Sequence, residues 1–241
     1  MAIGEASSSQ EKGEGMSKIV LQAGDVIDFL VQSGALKFGD FTLKSGRKAP
    51  YFINTGCFDD GVKIARLARF YAQQIVSLGL QDVDAVFGPA YKGIPLCVAT
   101  AMSLAQDFGV PMGFCFNRKE AKTRGEGGEF VGKPLTAGMR VVLVEDVVTA
   151  GTTLQEMVPL LRNKVGLEIA RVVILVDRDE RGSGELSAVQ EAERDLEIKV
   201  TPIVDIKRII SYLSAPNSSG FQIPAELQQR IATYREEYGA R

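Results

Sequence analysis

The sequence predicts an α/β fold, a parallel sheet covered by helices on both faces, and two observations carry that prediction. Short apolar runs dominated by Val, Ile and Leu recur at 83–87, 110–116, 141–148, 172–176 and 200–206. Stretches with helically spaced apolar residues follow the first and third of them. A continuous apolar run suits a strand buried on both faces, and parallel strands need crossover helices that supply that cover. Size agrees: 241 residues, 45% of them hydrophobic, are enough for one domain with a sizeable core.

The elements follow in chain order. Residues 1–17 are rich in Ser, Gly, Glu and Lys and hold little that is apolar, so burial cannot offset their ordering entropy. They are expected to be a disordered tail, and 18–241 a single domain. Val26, Phe29, Leu30 and Leu36 predict an amphipathic first helix ending near Gly34. Residues 38–43 and 51–54 read as short strands around the polar turn 44–48, and 61–78 as a helix. Ile94, Val98, Ala101, Met102 and Ala105 predict a helix over 93–108. Leu154, Met157, Val158 and Leu161 predict another over 151–165, kinked or shortened by Pro159, which has no N–H to donate. Residues 224–238 read as a surface helix.

Composition excludes several functions. With 28 basic and 30 acidic residues the chain carries a net charge of −2, which does not suit a strongly basic nucleic-acid binder. No apolar run approaches the roughly 20 residues of a membrane span. Histidine is absent, which removes Ser-His-Asp and Cys-His pairs and His-ligated zinc. Cys57, Cys97 and Cys115 are odd in number and widely spaced, which predicts reduced core thiols. The first residues lack the apolar stretch of a secretory signal, and a cytoplasmic protein is expected.

Chemistry concentrates in 141–153. There an apolar strand delivers Glu145 and Asp146, and Val147, Val148, Thr149, Ala150, Gly151, Thr152 and Thr153 turn into a helix. Backbone N–H groups and three hydroxyls at a helix N-terminus suit a phosphate monoester. The carboxylates cannot bind that phosphate. They can accept hydrogen bonds from sugar hydroxyls, or hold Mg²⁺ that a second phosphate also holds. Phosphate, ribose and metal in one segment describe a phosphoribosyl ligand. Neither a Gly-Lys-Ser/Thr ending nor a G-x-G-x-x-G pattern is present there.

A hydrophobic strand, an acidic pair and a Thr-Ala-Gly-Thr turn make the chain resemble the type I phosphoribosyltransferases. The resemblance is strongest to their orotate-using members and spans roughly 18–209. It implies that family's parallel-sheet fold, with a small hood or N-terminal subdomain. Four further segments carry it. The first, 41–54, implies that Lys44, Phe52 and Ile53 border orotate, together with Thr149; a planar anionic base needs an apolar slot with a cation at its edge. The second, 87–95, implies that Tyr91 and Lys92 meet pyrophosphate.

The third segment, 117–128, has four cations and one anion over 117–124, then three glycines within 125–128, a composition that suits a charged, flexible lid. The resemblance implies a mobile catalytic loop over about 117–131. Its Arg118, Lys119, Lys122 and Glu126 would close over pyrophosphate from the neighbouring subunit of a homodimer with shared active sites. Arg124 stands where the family usually has histidine, and arginine cannot serve as a titrating proton donor. The fourth segment, 176–182, implies that Arg178 grips the orotate carboxylate.

The reaction implied is attack of orotate N1 on C1 of phosphoribosyl pyrophosphate, which expels pyrophosphate and forms orotidine monophosphate for UMP synthesis. Lys119, Lys122, Glu145 and Asp146 are the implied catalytic residues. Phosphoribosyl pyrophosphate would lie against Tyr91, Lys92, Arg118, Arg124 and 145–153, with Mg²⁺ held mainly by the substrate near Glu145 and Asp146. No nucleic-acid or membrane partner is implied. A phosphoribosyltransferase for another base is disfavoured, because a neutral purine has no carboxylate for Lys44 and Arg178 to meet. A non-catalytic regulator that senses phosphoribosyl pyrophosphate is disfavoured by the complete lid.

Overall fold

A computed structural model describes residues 21–43, 46–122, 128–149, 151–182 and 184–240, with 121 and 122 described through their backbone. The expected tail at 1–17 lies outside them. The elements are α1 (Ala23–Gln32), β1 (Leu36–Thr42), β2 (Lys48–Ile53), α2 (Gly61–Ser77), β3 (Ala85–Phe87), α3 (Gly93–Phe108), β4 (Gly113–Lys122), β5 (Gly128–Gly132), β6 (Arg140–Val147), α4 (Thr152–Pro159), β7 (Glu168–Asp177), α5 (Ala188–Leu196), β8 (Val200–Asp205), α6 (Ile206–Ser214) and α7 (Ala225–Tyr238).

Six strands form the main sheet in the order β5-β4-β3-β6-β7-β8. All neighbours run parallel except β5, which is antiparallel to β4. The alternation of a strand divides the core into two. Val142 and Val144 of β6 face one apolar cluster with α1, α2, α3 and α6, while Val141 and Leu143 face the other, with α4 and α5. Both faces are therefore covered, as continuous apolar runs require. β1 and β2 form a separate antiparallel pair, the small addition expected beside the sheet, and α7 packs on it.

The structure corrects several expected elements. The strand expected at 110–116 begins at Gly113, after Gly109 ends α3 in the left-handed conformation, and it runs on to Lys122. Within 117–131, the segment expected as a mobile loop, β4 extends through Lys122 and β5 starts at Gly128, with Asn117 opposite Phe130 and Lys122 opposite Gly128. Its lysines and glutamates hid the strand, because charged residues are what an edge hairpin uses. Residues 123–127 lie outside the described set. The helix expected over 151–165 ends at Pro159 and continues as a wider π-helical segment, Leu160–Val165, where the missing proline N–H breaks the i→i−4 ladder.

Two helices, α5 and α6, add to the expected elements. A capping box of Ser187 and Gln190 starts α5, and Asp205 caps α6, which begins at Ile206, the last residue of the expected strand 200–206. The three cysteines are free, and burial pushes the Cys97 thiol up to about 12 and that of Cys115 up to about 11. Cys57 is only half-buried. Among the described residues no helix is long and apolar enough to cross a membrane.

Candidate active site

β3 and β6 are parallel neighbours, with Phe87 opposite Leu143, so their carboxyl ends open on the same edge of the sheet. Chemistry in open parallel sheets collects at that edge. Past β3 the chain must fold back tightly onto the start of α3. A Cβ on Gly88 would lie 2.0 Å from the Gly93 carbonyl oxygen, and one on Gly93 would lie 2.6 Å from the Gly88 carbonyl carbon. Only glycine fits either position. The Ala90 N–H donates to Asn117 Oδ1 at 2.8 Å, which ties this turn to the base of the β4–β5 hairpin.

The turn sets Lys92 against the end of β6. Its Nζ donates to Asp146 Oδ2 at 2.8 Å and to Thr55 Oγ1 at 3.0 Å, and the Thr55 hydroxyl donates to the same Asp146 oxygen. Asp146 Oδ1 accepts the Val147 N–H at 2.8 Å. Burial opposes the Asp146 charge, but Lys92 and Thr55 outweigh it and hold the carboxyl below its ordinary range. Glu145 is 8% exposed, and among the described residues no ion pair joins its carboxyl to a cation. Burial first, and then the Asp146 charge, push its carboxyl up to about 8. Its backbone carbonyl accepts from the buried Tyr71 hydroxyl of α2 at 2.7 Å, which fixes the strand end.

Beyond the pair, a cavity of about 70 Å³ is lined by Glu145, Val147, Val148, Thr149, Gly151, Thr152, Thr153 and Leu154. Gly151 has φ of +70° and precedes α4, whose first turn no side chain caps. Its backbone N–H groups face a ligand space that suits a phosphate. Ala150, within the expected turn, lies outside the described residues. A larger, open cavity of about 620 Å³ lies between β5 and the π-helical segment and is lined by none of the expected site residues.

The lid residues stand apart from this centre. Arg118 is half-buried and Lys119 exposed on β4; no hydrogen bond or ion pair joins either to Glu145 or Asp146 among the described residues. Lys122 closes β4, and Arg124 and Glu126 lie outside the described residues. Tyr91 is strongly exposed beside Lys92.

The base side is only partly as expected. Lys44 lies outside the described residues. Phe52 stacks on Phe41 with centroids 5.5 Å apart, whereas Ile53 is buried in the main core. Arg178, just past the carboxyl end of β7, is 8% exposed. Its Nε and Nη2 donate to Glu180 Oε1 at 3.1 and 2.7 Å, and the Tyr51 hydroxyl donates to the same oxygen at 2.8 Å. Burial opposes the Arg178 charge, but Glu180 holds its pKa above the ordinary value.

Sequence reasoning missed Thr55, Tyr51 and Glu180. Tyr51 and Glu180 stood inside the segments singled out, while Thr55 follows the first of them by one residue. Thr55 and Tyr51 are recognisable only through partners distant in the chain, whereas Glu180 meets both Arg178, two residues away, and the distant Tyr51.

The fold brings together a strand-end acidic pair, a hydroxyl-rich segment at the start of a helix and Lys92 from the turn after β3. The model of the phosphoribosyl transferase domain matches residues 55–197, and the chain belongs to that family. An orotate phosphoribosyltransferase of Pseudomonas fluorescens is 47% identical over 215 residues, covering 89% of this chain and 97% of that protein. One of Bifidobacterium longum is 47% identical over 221 residues, covering 88% and 96%. The crystal structure of the orotate phosphoribosyltransferase of Francisella tularensis superposes with a TM-score of 0.77 at 37% identity, over 89% of this chain and 98% of that one. Within the family the chain is thus a member of the orotate phosphoribosyltransferases.

Proposed function

We propose that this chain transfers the phosphoribosyl group of 5-phosphoribosyl 1-diphosphate to N1 of orotate, giving orotidine 5′-monophosphate and diphosphate for UMP synthesis. The observation that carries the reading is the convergence of Lys92, Thr55 and Asp146 beside the open turn at 148–153. One wall of the cleft then offers N–H groups and hydroxyls for the 5-phosphate, carboxylates for the ribose hydroxyls, and an ammonium for the diphosphate.

The steps follow from those positions. The 5-phosphate takes the backbone N–H groups at the start of α4 and the hydroxyls of Thr149, Thr152 and Thr153. The ribose hydroxyls donate to Asp146 and Glu145 and replace Lys92, whose ammonium moves to the diphosphate. The C1–O bond breaks with oxocarbenium character as orotate N1 approaches, and its electron pair leaves on diphosphate. Orotate N1 gives up its proton as the bond to C1 forms, and the departing diphosphate oxygens can take that proton, so no protein base or covalent intermediate is required. The protein aligns two anions and stabilises the departing charge with Lys92, Tyr91, Arg118, Lys119, Lys122 and Arg124. At the base end Arg178, Lys44 and Phe52 hold orotate by its carboxylate and its plane.

Two adjacent carboxylates form an oxygen-only donor set that suits Mg²⁺ shared with substrate oxygens. Among the described residues no group of three or more His, Cys, Asp and Glu side chains could hold a metal unaided. Glu145 and Asp146 would therefore hold Mg²⁺ together with the ribose and diphosphate, where it neutralises leaving-group charge. The reading extends to a cytoplasmic homodimer whose lid, with Arg118, Lys119, Lys122 and Glu126, serves the partner's site. The test is loss of orotate absorbance on addition of phosphoribosyl pyrophosphate and Mg²⁺, with uracil and adenine as controls. Turnover of adenine with none of orotate would reject the assignment.

A further inference from the structure

Glu180 is an odd neighbour for a residue that must bind a carboxylate. It is itself a carboxylate, its side chain is 12% exposed, and it lies against the guanidinium proposed to take orotate. A buried arginine and glutamate of this kind are expensive to desolvate, so their geometry has to be good. Oε1 accepts three donors: Arg178 Nε, Arg178 Nη2 and the Tyr51 hydroxyl. The Arg178 guanidinium also lies over the Tyr51 ring, 5.3 Å from its centroid.

A guanidinium has five N–H donors in a fixed fork. Glu180 takes the Nε side, and Nη1 has no partner among the described residues. The outer Nη1–Nη2 edge is the one left for a second carboxylate, and it can bind bidentately. The segment that carries both residues is itself clamped. Asp179 sits at φ of +49° and accepts from Arg235 Nη2 at 2.9 Å and Lys207 Nζ at 2.7 Å. The Arg181 N–H donates to the Tyr238 carbonyl, and the Ala240 N–H to that of Asp179.

We infer that Glu180, braced by Tyr51, is a positioning residue that occupies the Nε–Nη2 edge of Arg178 and leaves the outer Nη1–Nη2 edge to the substrate carboxylate. The inference rests on the reading of Arg178 as the carboxylate's partner. It makes Glu180 a determinant of specificity for bases that bear a carboxylate, although it touches no substrate.

Steady-state kinetics of Glu180→Ala, Glu180→Gln, Tyr51→Phe and Arg178→Ala test it, with uracil as a competitive inhibitor that lacks the carboxylate. Removing a charged hydrogen-bond acceptor should raise the KM for orotate about tenfold or more in Glu180→Ala. The KM for phosphoribosyl pyrophosphate and the inhibition constant of uracil should stay within about twofold. Glu180→Gln keeps an acceptor oxygen and should recover most of the loss. Tyr51→Phe leaves the ion pair in place and should raise the orotate KM a few-fold, which reads the brace even if Glu180→Ala does not fold. An unchanged or lowered orotate KM in both Glu180→Ala and Tyr51→Phe overturns the inference, as does a parallel rise for orotate and uracil. Arg178→Ala separates the two readings. If it leaves the orotate KM unchanged, the reading of Arg178 itself is wrong. If it raises that KM while the Glu180 and Tyr51 variants do not, only the positioning role fails.

Discussion

The two ends of the cleft are held together by opposite means. At the phosphoribosyl end one contiguous stretch, 145–153, supplies nearly everything, and the ion pair across it is loose: the Lys92 side chain is 65% exposed. At the base end Tyr51, Arg178 and Glu180 come from distant parts of the chain and are buried together, with α7 closing over the segment that carries two of them. A pair with one exposed partner can exchange that partner for a ligand group, whereas a pair buried on both sides is costly to break. The first end is therefore set up to hand Asp146 from Lys92 to a sugar, and the second to hold one orientation throughout.

Breaking the exchangeable end should produce the largest effect. Asp146→Asn removes the anion that Lys92, Thr55 and the incoming ribose share, and kcat/KM should fall by about 10²–10³, the loss typical of a deleted transition-state contact. Far-ultraviolet circular dichroism should stay native, because the pair lies at the end of β6. Wild-type turnover at saturating substrates and Mg²⁺ would remove the ribose contact from the reading.

The next effect tests where the lid acts. Lys122→Ala and Asp146→Asn should each be nearly inactive alone. In a homodimer with shared sites, equal mixing and subunit exchange should restore about a quarter of wild-type activity, since half the dimers are mixed and each then has one undamaged site. If mass spectrometry of isotope-labelled subunits shows exchange and activity stays absent, the lid serves its own chain.

How far the sequence could be read follows the same division. The 145–153 segment was legible because it is local: a strand, two carboxylates and a turn occupy consecutive positions and keep their meaning without the rest of the fold. The apolar runs were legible for a similar reason, and all five contribute to strands of the main sheet. The brace of Tyr51 on Glu180 was not, because nothing in a tyrosine after proline announces a glutamate on another strand's extension. α5 was missed although its Ser187–Gln190 box was present, since its buried residues, Ala188, Val189 and Ala192, make a weak apolar stripe. Ile53 shares the buried face of β2 with Tyr51 and Ala49, while Phe52 takes the other face and stacks on Phe41, a split that the motif's consecutive residues do not reveal.

A smaller effect concerns Glu145, which lost solvent without gaining a cation. Its folded pKa is raised to about 8, above the ordinary carboxylate value, so the folded state binds more protons than the unfolded one between those values. Stability should fall as pH rises across that interval and level off above it. Thermal melts of ligand-free protein in chelator, from pH 5 to 9, should show Glu145→Gln losing part of this decline, on the order of 1–2 kcal/mol relative to wild type. Parallel curves for the two proteins would mean that Glu145 is ionised without cost.

The smallest effect probes how far the rigidity of the base end reaches. Arg235 of α7 donates from Nη2 to Asp179, the residue between Arg178 and Glu180, and its own side chain is largely buried. Lys207 holds the same Asp179 oxygen, but its side chain is mostly exposed, and such a contact contributes little alone. Arg235→Ala therefore loosens the segment without freeing it, since the backbone bonds from Arg181 and Ala240 persist. The KM for orotate should rise about two- to fivefold, in line with the modest worth of a partly compensated charged contact, while the KM for phosphoribosyl pyrophosphate stays unchanged. Arg235→Lys should fall between this variant and wild type, because it keeps the charge but not the fork. If both KM values rise together, α7 supports the sheet edge as a whole, and the two ends of the cleft are mechanically coupled. If neither moves, the backbone alone fixes Asp179, and the clamp on Arg178 reduces to Glu180 and Tyr51.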